Sequence, residues 1–207
     1  MTRATRRLPA PTIVNVGCRS TNFWVVSAGA ARLLVDLGWP GMAGALLANL
    51  ARADIPVREI GHGVATHYHI DHAGAAEDLK AHGMRLVLTP EQVPFVDAMA
   101  RWTKPADRYT PITPAGNVVV TTAESRDFLR DLGIAGELVH TPGHSEDSVS
   151  LLLDTGAVFT GDLTRPSMAA DDDERAVAIR SWRELRARGA TTVYAGHGPV
   201  GPLPAGL

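Results

Sequence analysis

Short apolar runs separated by turn residues fill the first third of the chain. Thr12–Val16, Phe23–Ser27 and Arg32–Asp36 have the length and β-branched content of strands, with Gly29 at a turn between the second and third. The pattern then changes period. Residues 41–53 are rich in Ala and Leu and predict a helix, His62–Thr66 a strand, Ala73–His82 a helix closed by Gly83, and Leu86–Thr89 another strand. A helix over Glu91–Trp102 leads into an irregular stretch, Lys104–Pro114, broken by Pro105, Pro111 and Pro114. Val118–Thr121 and Leu138–His140 read as strands flanking a helix near Ala123–Leu132. Ser148–Leu153 and Val158–Thr160 predict a hairpin around Asp154-Thr155-Gly156. The pattern closes with a helix over Asp171–Arg188, acidic at its start and basic at its end as the helix dipole favours, and a last strand, Thr192–Ala195. Strands, helix, strands and helices, then the same order again, predict one α/β domain over residues 1–207 with two sheets and helices outside. Residues 1–11 are expected to form a flexible arm.

Composition narrows the class. The hydrophobic fraction of 45% and charged fraction of 20% are those of an ordinary globular protein. A net charge of -2 gives no footprint for a nucleic-acid partner, and Arg3, Arg6 and Arg7 read as a solvated tail. No segment reaches the ~20 consecutive apolar residues of a membrane span, and no apolar run follows the N-terminal arginines as a secretory signal requires. Cys18 is the only cysteine, so no intrachain disulfide can form, and a cytoplasmic location is expected.

The candidate chemistry lies in Thr66-His67-Tyr68-His69-Ile70-Asp71-His72-Ala73-Gly74. At a strand end, His67 and His69 would point to one side, and a tight turn would return Asp71 and His72 from the other. Imidazole and carboxylate together suit a borderline divalent metal such as zinc. Four such side chains within six residues cannot all close on one tetrahedral ion, so further ligands must come from elsewhere. Three positions qualify, each after a strand and beside a glycine: His144 in His140-Thr141-Pro142-Gly143-His144, Asp162 in Thr160-Gly161-Asp162, and His197 in Ala195-Gly196-His197-Gly198. His62 and His82 read as ordinary surface or structural histidines.

These motifs, in this order, resemble those of the metallo-β-lactamase superfamily of metallohydrolases, from the strand ending at Asp36 to Gly198. The resemblance implies a four-layer αββα sandwich with two divalent ions at one edge between the sheets, zinc in the first instance, with iron or manganese as alternatives. It implies that His67, His69 and His144 hold the first ion, that Asp71, His72 and His197 hold the second, and that Asp162 bridges them. Asp36, in Leu34-Val35-Asp36-Leu37-Gly38, matches the family's early Asp-x-Gly turn; it reads either as a support for the metal loop or as simple turn chemistry. His140 is expected to support the ligands rather than to be one.

A dinuclear centre of this kind offers hydroxide at neutral pH, and the expected reaction is attack by a bridging hydroxide on a carbonyl or phosphoryl centre, with Asp71 orienting the nucleophile. Asp162 stands where many true β-lactamases of this fold carry Cys or Ser, which disfavours antibiotic hydrolysis. His69 stands where the flavodiiron branch carries an acid. Only ten residues follow His197, so no glutathione-gripping helical domain of the glyoxalase II branch is expected. The compact esterases, thioesterases and lactonases remain. Trp102, Tyr109 and Arg165 are candidates for contact with a small-molecule substrate, alongside Trp24, Trp39 and Met168. The stretch from Trp102 to Pro114 is either a lid or a proline-pinned surface loop. The rival activities are a mononuclear-iron persulfide dioxygenase and, less favoured, a phosphodiesterase.

Overall fold

The computed structural model describes residues 10–29 and 31–207. The expected N-terminal arm, with Arg3, Arg6 and Arg7, lies outside the described residues apart from Ala10 and Pro11. Eleven strands form two mixed sheets among the described residues. The first contains β1 (Thr12–Asn15), β2 (Trp24–Ala28), β3 (Ala31–Val35), β4 (Ile60–Val64), β5 (Arg85–Leu88) and β6 (Val118–Val119), in that order. Its first three strands are antiparallel, and β3 to β6 run parallel. The second has the order β11 (Gly201–Pro202), β10 (Thr192–Ala195), β9 (Ala157–Gly161), β8 (Val149–Leu153) and β7 (Gly136–His140).

Strand alternation builds the layers. In β3, Leu33 and Val35 face the second sheet, where they meet Leu151, Leu153 and Phe159, while Leu34 between them faces outward. The outward side packs on α1 (Ala43–Arg52) through Leu46 and Leu50, on α3 (Ala76–Lys80) through Leu79 and on α4 (Val93–Met99) through Val96 and Met99. In β8, Leu152 turns to the far side of the second sheet, where Val158 and Val193 join it against Ala178, Trp182 and Leu185 of α6 (Asp172–Ala187). Helix, sheet, sheet and helix thus follow one another across three apolar seams, the expected αββα sandwich. Strands buried on both faces explain why β2, β3 and β8 read as nearly continuous apolar runs. Helix α5 (Ser125–Asp131) closes one end of the inter-sheet seam with Leu129. No helix among the described residues is long and apolar enough to cross a membrane.

Several expectations need correction. β4 stops at Val64, so His67 and His69 are not on a strand. The reason is local: the Asp36 carboxylate accepts from the Thr66 amide at 2.8 Å and so takes the place of a ladder partner. The helix expected over 73–82 is two short helices, α2 (Ile70–Ala73) and α3, separated at Gly74 and Ala75. Its backbone bonds are diverted to the chain after β3: Leu37 N donates to His72 O at 2.6 Å and Ala75 N to Gly38 O at 3.2 Å. The helix after Glu91 is regular only over Val93–Met99 and tightens into a 3-10 turn at Ala100–Trp102. Thr192–Ala195 is not the last strand, because the short β11 adds to its edge.

The topology places chain ends usefully. β3 and β4 run parallel, as do β9 and β10, and β7 is antiparallel to β8, which is antiparallel to β9. β7, β9 and β10 therefore all end at one edge of the second sheet. Val149 N, at the start of β8, donates to Thr66 O just past β4 at 2.7 Å and joins that edge to the first sheet.

Trp182 anchors α6 to this edge, since it is buried and its indole N–H donates to Thr164 O at 2.9 Å. Trp182→Ala is expected to cost about 3–5 kcal/mol through the cavity and the orphaned carbonyl. A urea titration would show this as a lower midpoint at unchanged slope.

Candidate metal centre

Seven side chains converge where the sheet ends meet. Ring nitrogens of His67, His69 and His144 form one group, and Asp71, His72, Asp162 and His197 form a second, each with its ligand-type atoms within 4.8 Å of one another. The two groups touch through Asp162, whose Oδ2 is 3.8 Å from His144 Nε2 and 3.3 Å from His197 Nε2. Each side chain comes from a loop just past a strand: 65–69 and the start of α2 after β4, 141–148 after β7, Asp162 after β9 and His197 after β10. Gly196 lets the last of these loops approach. A Cβ there would lie 2.5 Å from His72 Cε1 and 2.6 Å from Asp162 Oδ1.

The hydrogen bonds fix which ring nitrogens carry protons. Thr66 Oγ1 gives its proton to Asp36 Oδ1 at 2.9 Å, so it accepts at 3.2 Å from His67 Nδ1. His72 Nδ1 donates to Asp36 Oδ2 at 2.9 Å, and His197 Nδ1 donates to Ser20 O at 2.7 Å. All three rings therefore turn Nε2 inward. His67 Nε2 and His144 Nε2 lie 3.0 and 3.1 Å from His69 Nδ1, a meeting of three nitrogens that one N–H cannot satisfy. His197 Nε2 faces Asp71 Oδ2 at 3.2 Å, and His72 Nε2 faces Asp162 Oδ1 at 3.3 Å. His72 Nε2 and Asp162 Oδ1 are buried with no hydrogen-bond partner.

Lone pairs aimed at lone pairs and carboxylates repel unless positive charge lies between them. Burial and the neighbouring rings hold His67 well below the usual imidazole pKa, and burial lowers His144, so protons on these two rings do not supply that charge. His72 behaves oppositely: burial opposes its charge, but the Asp36 and Asp162 carboxylates outweigh it and raise the pKa well above normal. Burial pushes the Asp162 carboxyl up, and the neighbouring His72, His197 and His144 pull it below the ordinary value. The site attracts cations, and imidazole plus carboxylate suits zinc, manganese or iron. The donor set and the two orphaned buried atoms fit two divalent ions.

Asp36 sits under both groups. It is buried, and its two oxygens serve Thr66 and His72. His140 lies apart: it is exposed, and its Nε2 is 2.8 Å from Glu146 O, which braces the loop carrying His144. The pattern of residue types missed Asp147. This buried carboxylate accepts from Tyr68 N at 2.7 Å and from the Ser145 hydroxyl, tying the His67–His69 turn to the His144 loop. An acid three residues past His144 was the available signal. It also missed Ser20, which acts through a backbone carbonyl that no residue type announces.

A cleft of about 430 Å³ opens beside His144, Asp162 and His197, walled by Leu163, Met168, Trp182 and Val193. Arg165 lines it, with Pro202 O at 3.3 Å from its Nη2. Trp102 and Tyr109 do not line it. Trp102 is exposed on its 3-10 turn, and Tyr109 packs against the core beneath α4. Trp24 is buried against Phe159 and Tyr194.

The family model of the metallo-beta-lactamase superfamily matches residues 16–197. The chain belongs to this superfamily. Among curated relatives, a beta-lactamase-like protein 2 homolog from Caenorhabditis elegans is 26% identical over 186 residues, covering 88% of this chain and 57% of its own. An atrochrysone carboxyl ACP thioesterase from Aspergillus fumigatus is 29% identical over 185 residues, covering 88% of this chain and 38% of its own. The chain thus spans about half the length of the curated relatives it matches. Among solved structures, a metallo-beta-lactamase family protein from Thermus thermophilus superposes with a TM-score of 0.71 at 21% identity, over 95% of this chain and 76% of that one. At that identity the likeness is one of superfamily fold.

Asp36 has a positive φ of 62°, which Asn tolerates and Ala does not. Asp36→Asn is therefore expected to keep the superfamily fold while removing the charge behind His72 and one acceptor for Thr66. Zinc affinity should fall about 10–100-fold in a chelator competition, with an unchanged circular dichroism spectrum.

Proposed function

We propose that the protein is a hydrolase with a dinuclear, zinc-type centre that cleaves a small ester, thioester or lactone. The observation that carries this reading is the placement of Asp162, a member of the second group, between His197 of its own group at 3.3 Å and His144 of the first at 3.8 Å. His67, His69 and His144 would hold one ion, Asp71, His72 and His197 the other, and Asp162 would lie between. Bound there, two such ions would supply Lewis acidity and make a water acidic enough to attack at neutral pH.

The chain's own residues would do the rest. Asp71 reaches towards both His72 and His197, and its carboxylate would accept a hydrogen bond from the attacking water and set its direction. Asp36 and the Ser20 carbonyl would hold the Nδ1 atoms of His72 and His197 and so keep their Nε2 atoms aimed inward. The apolar walls of the cleft suit an acyl arm, and its volume is that of a small-molecule site. Arg165 would meet an anionic group on the substrate. Trp102, exposed and outside the cleft, would contribute only if the 102–114 stretch moved over it. Thioester cleavage is favoured within the class because two relatives, from Aspergillus fumigatus and Emericella nidulans, are named as thioesterases. A net charge of -2 gives little attraction for a nucleic-acid phosphodiester. The single thiol, Cys18, is compatible with a reducing cytoplasm.

Protein purified without chelators is expected to contain about two zinc ions per chain by elemental analysis and to turn over members of a thioester and lactone panel. His69→Ala and Asp162→Ala should each lose more activity than the ~10–100-fold typical of supporting residues, together with part of the metal. One iron per chain with no hydrolysis would replace this reading with a dioxygenase. Full activity and full metal content in either variant would refute the ligand assignment.

A further inference from the structure

The loop from β1 to β2 contains none of the seven converging side chains, yet it grips the second group at two points. At the first, Asn22 holds the turn that carries His197. Its amide Nδ2 donates to Ala195 O at 3.0 Å and Gly198 O at 2.8 Å, one on each side of that histidine. Its backbone N–H donates to Gly196 O at 2.7 Å. Asn15 fixes the orientation of the Asn22 amide by donating to Oδ1 at 2.7 Å. The neighbouring Ser20 carbonyl takes the Nδ1 proton of His197.

At the second point Thr21 meets Asp71. Thr21 is buried, with its Oγ1 3.4 Å from Asp71 Oδ2 and 3.1 Å from Trp39 Nε1. An indole nitrogen only donates, and a carboxylate only accepts. The hydroxyl must therefore accept from Trp39 and give its own proton to Asp71. The direction of this chain, Trp39 to Thr21 to Asp71, is set by chemistry. The loop itself is rigidly placed. Asn49 of α1 donates to Val16 O at 3.0 Å and Gly17 O at 2.7 Å, and a Cβ on Gly17 would lie 2.3 Å from Thr21 O. No hydrogen bond from residues 16–23 reaches His67, His69 or His144 among the described residues.

We propose that Thr21, oriented by Trp39, is a positioning residue for Asp71, and that the β1–β2 loop sets the affinity of the second metal position separately from the first. The proposal rests on the dinuclear reading above. A hydroxyl donating to one side of the Asp71 carboxylate holds its rotation, and Asn22 holds His197 at the matching distance. The two ligands the loop touches are both second-group ligands, so a defect there should act on one ion and leave the other.

The test is a zinc titration of metal-stripped protein against a chromophoric chelator, resolving two dissociation constants. Thr21→Val keeps the side-chain shape and removes the donor. It should weaken the second zinc about 10–100-fold and leave the first within about twofold, while Thr21→Ser restores the wild-type pair. Trp39→Phe, which frees the hydroxyl to rotate, should weaken the second zinc in the same selective way and serves if Thr21→Val does not fold by circular dichroism. Equal loss at both positions, no loss at either, or failure of Thr21→Ser to restore the second would overturn the proposal. A wild-type protein that takes up only one zinc would instead overturn the dinuclear reading.

Discussion

One buried carboxylate organises the centre from below. Asp36 accepts from the amide and hydroxyl of Thr66 through one oxygen and from His72 Nδ1 through the other. A buried charge is tolerable only when its lone pairs are satisfied, and here three donors do so. Each donor has a consequence. The amide bond ends β4 and starts the ligand-bearing turn. The hydroxyl bond makes Thr66 an acceptor for His67, which turns the lone pair of His67 inward. The imidazole bond turns His72 Nε2 inward. One side chain in each candidate group is thus set by the same residue, Asp36.

The sandwich supplies the edge at which this is possible. Parallel pairing of β3 with β4 and of β9 with β10 brings four chain exits to one side, and the antiparallel meander of β7, β8 and β9 adds a fifth. Loops leaving adjacent strands start about 5 Å apart, which is the scale of a metal cluster. The three apolar seams hold the sheets in register, so ligands from distant parts of the sequence share a frame fixed by burial rather than by their mutual repulsion. Strong polar strain at the edge is carried by a core that does not participate in it.

Much of this was legible because the chemistry is written in residue types. His67, His69, Asp71 and His72 form a dense local pattern, and His144, Asp162 and His197 each stand beside a glycine after an apolar run. The strands were readable because two-sided burial leaves apolar runs in β2, β3 and β8. What escaped the sequence escaped for physical reasons. The end of β4 depends on Asp36, 30 residues from Thr66. The break between α2 and α3 depends on backbone bonds to Leu37 and Gly38, which any residues make. Ser20 acts through its carbonyl, and Thr21 and Asn22 are common loop residues whose meaning lies in what they face. β11 is two residues long, one of them proline, and carries no periodicity. His140 was read as a support rather than a ligand, and it lies exposed at the end of β7 with its Nε2 on the Glu146 carbonyl of the His144 loop.

The two groups differ in charge, and this bears on how the centre divides its work. The first consists of three imidazoles, with Asp162 approaching it at 3.8 Å from His144. The second contains Asp71 and Asp162 directly and has Asp36 behind His72. A dication in the first group would keep most of its field, because neutral nitrogens do not cancel charge. One in the second would be nearly neutralised by its carboxylates. Polarisation of a substrate oxygen needs an uncancelled field, whereas holding and orienting an acidic water needs a nearby acceptor such as Asp71. The asymmetry of the two groups would therefore assign different tasks to two ions held there. It would also account for the contacts of Thr21 and Asn22 falling on the second group. Two carboxylates that repel one another need their rotations fixed from outside.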